Sequence, residues 1–189
     1  MHLLESSPFD AKKTGRAFLE KPLSVLLDNL MHIVAVIDGN SVLFRAFYAT
    51  SFSNIMKTSF GAYTNAVYAF ANMLNKALKM VEPDYCCVAF DKGKATFRHQ
   101  MTPDYKAGRK ETPVELVEQF ALVRDMLNAY NIKYLEYDEI EADDIIGILA
   151  NKFDGDISIF SSDHDLFQLI DDNKHIKICC MKKGMWFWK

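Results

Sequence analysis

The run EYDEIEADDIIGILANKFDGDISIFSSDHD, residues 136–165, decides how the chain is read. It opens with Glu136, Asp138, Glu139, Glu141, Asp143 and Asp144, six carboxylates in nine residues with no Lys or Arg among them. A helical pattern follows over about residues 141–152, with Ile145, Ile146 and Leu149 inward. Then come a strand at Asp156 to Phe160, a Ser161-Ser162 turn and a short helix from about Asp163 to Leu169 that carries Asp163 and Asp165 in its first turn. Two like charges about 5 Å apart repel by roughly 3 kcal/mol at an effective dielectric of about 20, so carboxylates that converge need a counter-charge. Hard oxygen donors select Mg²⁺ or Mn²⁺. The plain alternative is a solvated acidic loop in which nothing converges.

Working outward, the same strand-then-acid grammar recurs. His32 to Ile37 is a continuous apolar run of a buried parallel strand, closed by Asp38-Gly39-Asn40 and followed by a helix over 41–49. After an irregular stretch to Phe60, Gly61 precedes a long helix with Tyr63, Ala66, Phe70, Met73, Ala77 and Met80 on one face, stopped by Pro83. Tyr85 to Phe90 is the second buried strand and Asp91 stands directly after it. Thr112-Pro113-Val114-Glu115 reads as a capping box, and the helix behind it turns Leu116, Phe120, Val123, Leu127 and Tyr130 inward. Ile132 to Leu135 and His175 to Cys180 are further strands, and Met185 to Trp188 pairs with the last or extends an edge. Strands alternating with helices predict an α/β fold with a mostly parallel sheet flanked by helices.

In an open parallel sheet, ligands bind beyond the carboxyl ends of the strands. Asp38, Asp91 and Asp163 each follow a strand, and Glu141, Asp143 and Asp144 open the helix after another, so four elements deliver acids to one rim. On a regular helix Glu141 and Asp144 share a face, while Asp143 points about 160° away and reaches the rim only if the first turn is not yet helical.

Of 189 residues, 50% are hydrophobic, enough for one core; the expected division is an N-terminal extension over 1–31 and a core over 32–189. The absence of a long apolar run or a secretory leader pattern, and two adjacent cysteine pairs with no Cys-x-x-Cys spacing, read as a cytoplasmic protein with reduced thiols and no structural zinc. One cysteine of each pair is expected in the core. The net charge is -3, yet Lys92, Lys94, Arg98, Lys106, Arg109 and Lys110 face only Asp104 between residues 92 and 110, which makes that segment +5 and the remainder -8. A basic segment without sustained period, containing Gly93, Pro103 and Gly108, reads as a mobile loop or loose helical arch, suited to holding a polyanion against a metal centre.

Four motifs, Val36-Ile37-Asp38-Gly39-Asn40-Ser41, Phe97-Arg98 with Tyr105-Lys106-Ala107-Gly108-Arg109, Ile140-Glu141-Ala142-Asp143-Asp144 and Ser162-Asp163-His164-Asp165-Leu166, resemble the 5′-3′ exonuclease and flap endonuclease domain of the bacterial DNA polymerase I family. The resemblance implies a PIN-like nuclease core with a basic arch. It implies acidic metal positions at Asp38, Asp91, Glu141, Asp143, Asp144, Asp163 and Asp165, holding Mg²⁺ or Mn²⁺, two ions in the complete family fold. It also implies phosphate-contacting bases at Lys106 and Arg109. The chemistry the resemblance implies is metal-assisted phosphodiester hydrolysis with no protein nucleophile, on DNA with a free 5′ end or flap, RNA primers being a further expected substrate class. Arg45 and Arg98 are candidates to grip neighbouring phosphates and Tyr105 to stack on a base. A non-catalytic nucleic-acid-binding module and a PIN-type ribonuclease are the alternatives; a phosphatase on Asp163-x-Asp165 fits worse, because that motif should end the first strand. Two departures accompany the resemblance. His164 replaces a more usual base, and the sequence stops before the helix-loop-helix module that supplies two further aspartates, which predicts an incomplete second metal site and an exposed aromatic close at Trp186-Phe187-Trp188.

Overall fold

The computed structural model describes residues 32–52, 56–93 and 111–189. The expected extension over 1–31, and the arch from Lys94 to Lys110 with Arg98, Tyr105, Lys106 and Arg109, therefore lie outside the described residues. The strands are β1 (His32–Asp38), β2 (Tyr85–Ala89), β3 (Lys133–Leu135), β4 (Gly155–Phe160), β5 (Ile176–Lys182) and β6 (Met185–Trp188). The helices are α1 (Gly39–Thr50), α2 (Asn65–Val81), α3 (Val114–Ala129) and α4 (Ala142–Lys152), with 3₁₀ turns at Asp165–Leu169 and Asp172–Lys174.

The six strands form one sheet in the order β3-β2-β1-β4-β5-β6, parallel except for β6, which runs antiparallel to β5. β1 is central, pairing with β2 on one side and β4 on the other. Period-two alternation sends Ala35, Ile37, Cys86, Val88, Phe160 and Cys179 to one face, under α1, α2 and α3. Val34, Val36, Cys87, Ala89, Ile157 and Ile159 face the other way, under α4 and the first 3₁₀ turn. Cover on both faces corrects the cysteine expectation for one pair, since Cys86 and Cys87 are both buried, on opposite sides, whereas in the other Cys179 is buried and Cys180 only partly so, as expected. At the end of β1 the chain passes so close to Phe90 that a Cβ on Gly39 would sit 2.4 Å from its fully buried ring, so only glycine fits there.

Three local expectations change. The buried stripe of α2 is Ala66, Phe70, Leu74, Ala77 and Leu78; Tyr63 precedes the helix and Met80 is 38% exposed, because the true 3.6-residue period drifts off a stripe drawn through Met73 and Met80. The capping box at Thr112 does not form. Pro113, in an extended conformation, is the cap residue and offers only its carbonyl, to Leu116 N–H and Val117 N–H, so α3 begins one residue later. Trp186 is not part of an exposed close: it is 8% exposed, packs edge-on against Phe160 at 5.0 Å, and donates its indole N–H to the Met73 carbonyl at 3.1 Å. Phe187 and Trp188 remain 45% and 44% exposed. The Lys183-Gly184 turn, positive in φ at both residues, gives the primed geometry that a two-residue hairpin into β6 requires. Among the described residues no helix is long and apolar enough to cross a membrane.

Candidate functional site

Beyond the carboxyl ends of β1, β2 and β4 lies an open cleft of about 890 Å³. Its acidic lining is Asp38, Asp91, Glu141, Asp143 and Asp163, and its rim carries Asn40, Arg45, Tyr48 and His164. Four separate elements thus bring their acids to one place, as strand order and the run of apolar residues before each acid dictate.

Asp38 is buried at 4% exposure. One oxygen accepts the Ser41 N–H at 2.9 Å, capping α1, and the other accepts the Ser161 hydroxyl at 2.6 Å across the sheet. Asp91 accepts the Asn40 side-chain N–H at 3.0 Å on one oxygen and the Ala142 N–H at 2.7 Å on the other, while its own N–H donates to the Asn40 side-chain oxygen Oδ1 at 3.2 Å. Asp163 accepts the Asp165 N–H at 2.9 Å and donates its own N–H to Ser161 Oγ at 2.9 Å. Ser161 thereby ties two acids together, and Asn40 locks Asp91 to the start of α1. In the sequence both residues stand only as turn and motif positions, and their one signal is their place beside the strand-ending acids.

The acidic stretch sorts into different tasks. Arg124 holds Glu136 through two hydrogen bonds, at 2.7 and 2.9 Å, and Lys92 pairs with Asp138 at 2.9 Å, so those two acids are neutralised by distant bases. Glu141 is buried and extended, at φ -84° and ψ 157°, and forms a capping box with Asp144, whose carboxylate accepts the Glu141 N–H at 3.3 Å. Because Glu141 is not yet helical, the phase argument does not govern the trio: Asp143 faces the cleft and Asp144 turns back to the cap. Asp165 is exposed and outside the cleft lining, and Arg45 is the only Lys or Arg lining the cleft among the described residues.

Among the described residues the charges here are poorly compensated. Burial pushes Asp38 up to about 6; its hydrogen bonds from Ser161 and Ser41 pull downward, and Asp91 and Asp163 push further up. Burial likewise raises Asp143 to about 7, reinforced by Asp38, Asp163, Asp91 and Glu141. Five carboxylates crowded on the described walls of the cleft are the hard oxygen donors that a divalent cation neutralises. Among the described residues no three carboxylates, imidazoles or thiols are gathered tightly enough to grip one ion unaided. Mg²⁺ does not need such a cage, since it keeps several waters and is held through one or two carboxylates.

A pH dependence follows. The unfolded chain releases these two protons near pH 4, whereas the folded chain keeps them to about 6 and 7, so protonation favours the folded state and that stabilisation is lost as pH rises through those values. In EDTA the melting temperature is expected to fall between pH 5.5 and 8, and added Mg²⁺ to raise it at pH 8 but hardly at pH 5.5. A melting temperature that climbs over this range in calorimetry would contradict the described crowding.

Comparison with known proteins agrees with this architecture. A family model described as the 5′-3′ exonuclease, N-terminal resolvase-like domain matches residues 33–187. DNA polymerase I of Geobacillus stearothermophilus is 46% identical over 155 residues, 80% of this chain and 17% of that protein. DNA polymerase I of Bacillus subtilis is 44% identical over the same length, with the same coverage. The chain thus spans about 17% of the length of these curated relatives. Among solved structures, T5 5′-exonuclease with zinc bound superimposes with a TM-score of 0.58 at 21% identity, over 82% of this chain and 57% of that one. A T5 flap endonuclease complex with DNA and metal ions gives 0.59 at 21% identity with the same coverage. These fix the fold as the PIN-like one: a mostly parallel sheet between helices with its acids at one rim. With its family model matched from residue 33 to residue 187, the chain belongs to the 5′-3′ exonuclease family, in its N-terminal, resolvase-like domain.

Proposed function

We propose that the chain is a divalent-metal-dependent 5′ nuclease that hydrolyses DNA phosphodiesters near a free 5′ end or flap. The observation that carries this is the convergence of Asp38, Asp91, Glu141, Asp143 and Asp163 on one open cleft. Residues 32–189 form the core of this reading and residues 1–31 an extension to it.

Asp38, Asp91, Glu141, Asp143 and Asp163 would hold Mg²⁺ or Mn²⁺, with Asp144 and Asp165 behind them, reaching a cation through water. Bound there, such ions supply an activated water and charge neutralisation at the scissile phosphate. The chain's own groups do the rest. Asn40 and Ser161 keep the Asp91 and Asp38 carboxylates aimed into the cleft through their hydrogen bonds. Arg45, exposed at the rim, meets a flanking phosphate. Lys106 and Arg109 offset charge on the reacting phosphate, Arg98 grips a further one, and Tyr105 stacks on a base; these four belong to the basic segment outside the described residues.

The test is cleavage of an end-labelled 5′-flap oligonucleotide in Mg²⁺ or Mn²⁺ against EDTA, with an RNA flap as competitor. Cleavage is expected only with the ion, with DNA preferred, and Asp91→Asn is expected to slow it about 10³-fold, the several kcal/mol that metal positioning contributes. Salt-dependent binding without turnover would leave a nucleic-acid-binding module instead, and preference for the RNA flap would move the assignment to a ribonuclease.

A further inference from the structure

Resting on the nuclease reading, we propose that His164 is a stacking platform for an unpaired nucleobase adjacent to the phosphate held in the cleft. His164 follows Asp163 directly, about 3.8 Å along the backbone, and its side chain lines the cleft. The ring is held in place. It lies nearly parallel to Phe167, with centroids 4.8 Å apart and planes inclined by 26°. The Phe167 N–H donates to the His164 carbonyl at 3.0 Å, closing the turn that sets the pair, and Phe167 is itself half-buried against the core beneath α4. His164 remains exposed, and among the described residues its ring nitrogens have no hydrogen-bond or ion-pair partner.

A flat ring supported on one face and open on the other is the surface on which a base stacks, whatever its sequence. A second aromatic pair lines the same cleft from α1, Phe44 against Tyr48 at 6.4 Å and 28°. Carboxylates with their cation draw a phosphate, whereas aromatic faces draw bases. Together they select a nucleotide whose base has left its helical stack, because a base inside a duplex has both faces occupied.

The experiment uses the full chain in Ca²⁺ and a 5′-flap oligonucleotide carrying 2-aminopurine at the flap base next to the junction. Binding is expected to quench its fluorescence, the quench to fall by about half or more in His164→Ala, and to return in His164→Phe. In Mg²⁺, His164→Ala is expected to slow cleavage of the ordinary flap about tenfold, and to match the native chain on a flap with an abasic sugar at that position. An unchanged melting temperature shows that the variant folds. Undiminished quenching in His164→Ala, or equal slowing on the ordinary and abasic flaps, would overturn the platform while leaving the nuclease reading intact. No salt-sensitive association of the native chain with the oligonucleotide would overturn both.

Discussion

Replacing Asp143 by Asn is expected to raise the melting temperature of the metal-free chain at pH 8 and, in the same molecule, to slow Mg²⁺-dependent cleavage about 10³-fold. Both directions come from one cause. Asp143 is half-buried, repelled by Asp38, Asp163, Asp91 and Glu141, and without a hydrogen bond to reward its charge among the described residues. An amide of the same shape removes that repulsion and, with it, the anionic charge and one of the two oxygens that a cation would take. The thermal gain should vanish at pH 5.5, where the native carboxylate is already protonated. A control, Asp125→Asn on the exposed side of α3, is expected to change neither quantity. Differential scanning calorimetry in EDTA beside single-turnover cleavage decides the matter. A variant that melts lower at pH 8, or cuts at the native rate, would mean that Asp143 is a structural acid.

The second large effect is on stability. Gln119→Leu is expected to cost about 3 kcal/mol, lowering the melting temperature by about 10 °C. Gln119 is completely buried on α3. Its side-chain oxygen accepts the Ala66 N–H at 2.8 Å and the Val67 N–H at 3.2 Å, and its amide donates to Asn65 Oδ1 at 3.1 Å and to the Glu115 carbonyl at 2.9 Å. Thr64 makes no side-chain cap, so a glutamine more than fifty residues away caps α2. The link continues from Asn65 to the Thr50 hydroxyl at 2.8 Å and from there to the Ala46 carbonyl, joining three helices. Leucine fills the volume but leaves buried donors without acceptors, whose desolvation is then unrepaid. Chemical denaturation measures it, and a loss below about 1 kcal/mol would show that water or a shifted side chain takes over the cap.

What was legible in the sequence follows from how local each signal is. An apolar run with an acid just beyond it states both a parallel strand and the end at which the acid stands, so Asp38 and Asp91, directly after their runs, and Asp163, after the Ser161-Ser162 turn, are readable one element at a time. Their supports were not. Asn40 reaches Asp91 across 51 positions and Ser161 reaches Asp38 across 123, and nothing in either neighbourhood announces the partner. Helix phase leaves the place of Asp143 conditional on an irregular first turn, and the sequence does not show that Glu141 lies in extended backbone before the helix, which is the condition under which Asp143 reaches the rim. Gln119 sits between Leu116 and Val123 on the inward side of α3, where a polar residue interrupts an apolar stripe without naming its partners. Trp186 reads as exposed in the sequence because only the folded sheet and α2 above it bring Phe160 and Met73 to it.

The strand order sets when the acidic cleft comes into being during synthesis. β1 emerges early, but its neighbour β4 ends more than 120 residues later, and until Phe160 has left the ribosome there is no Ser161 to receive Asp38 and no Asp163 across from it. A nascent chain can zip β1 to β2 while its rim is still half built, so the cleft arrives in one late step instead of growing by degrees. Any shortened translation product that stops before β4 is left with a central strand lacking one partner, prone to association and with no gathered carboxylates to offer a cation.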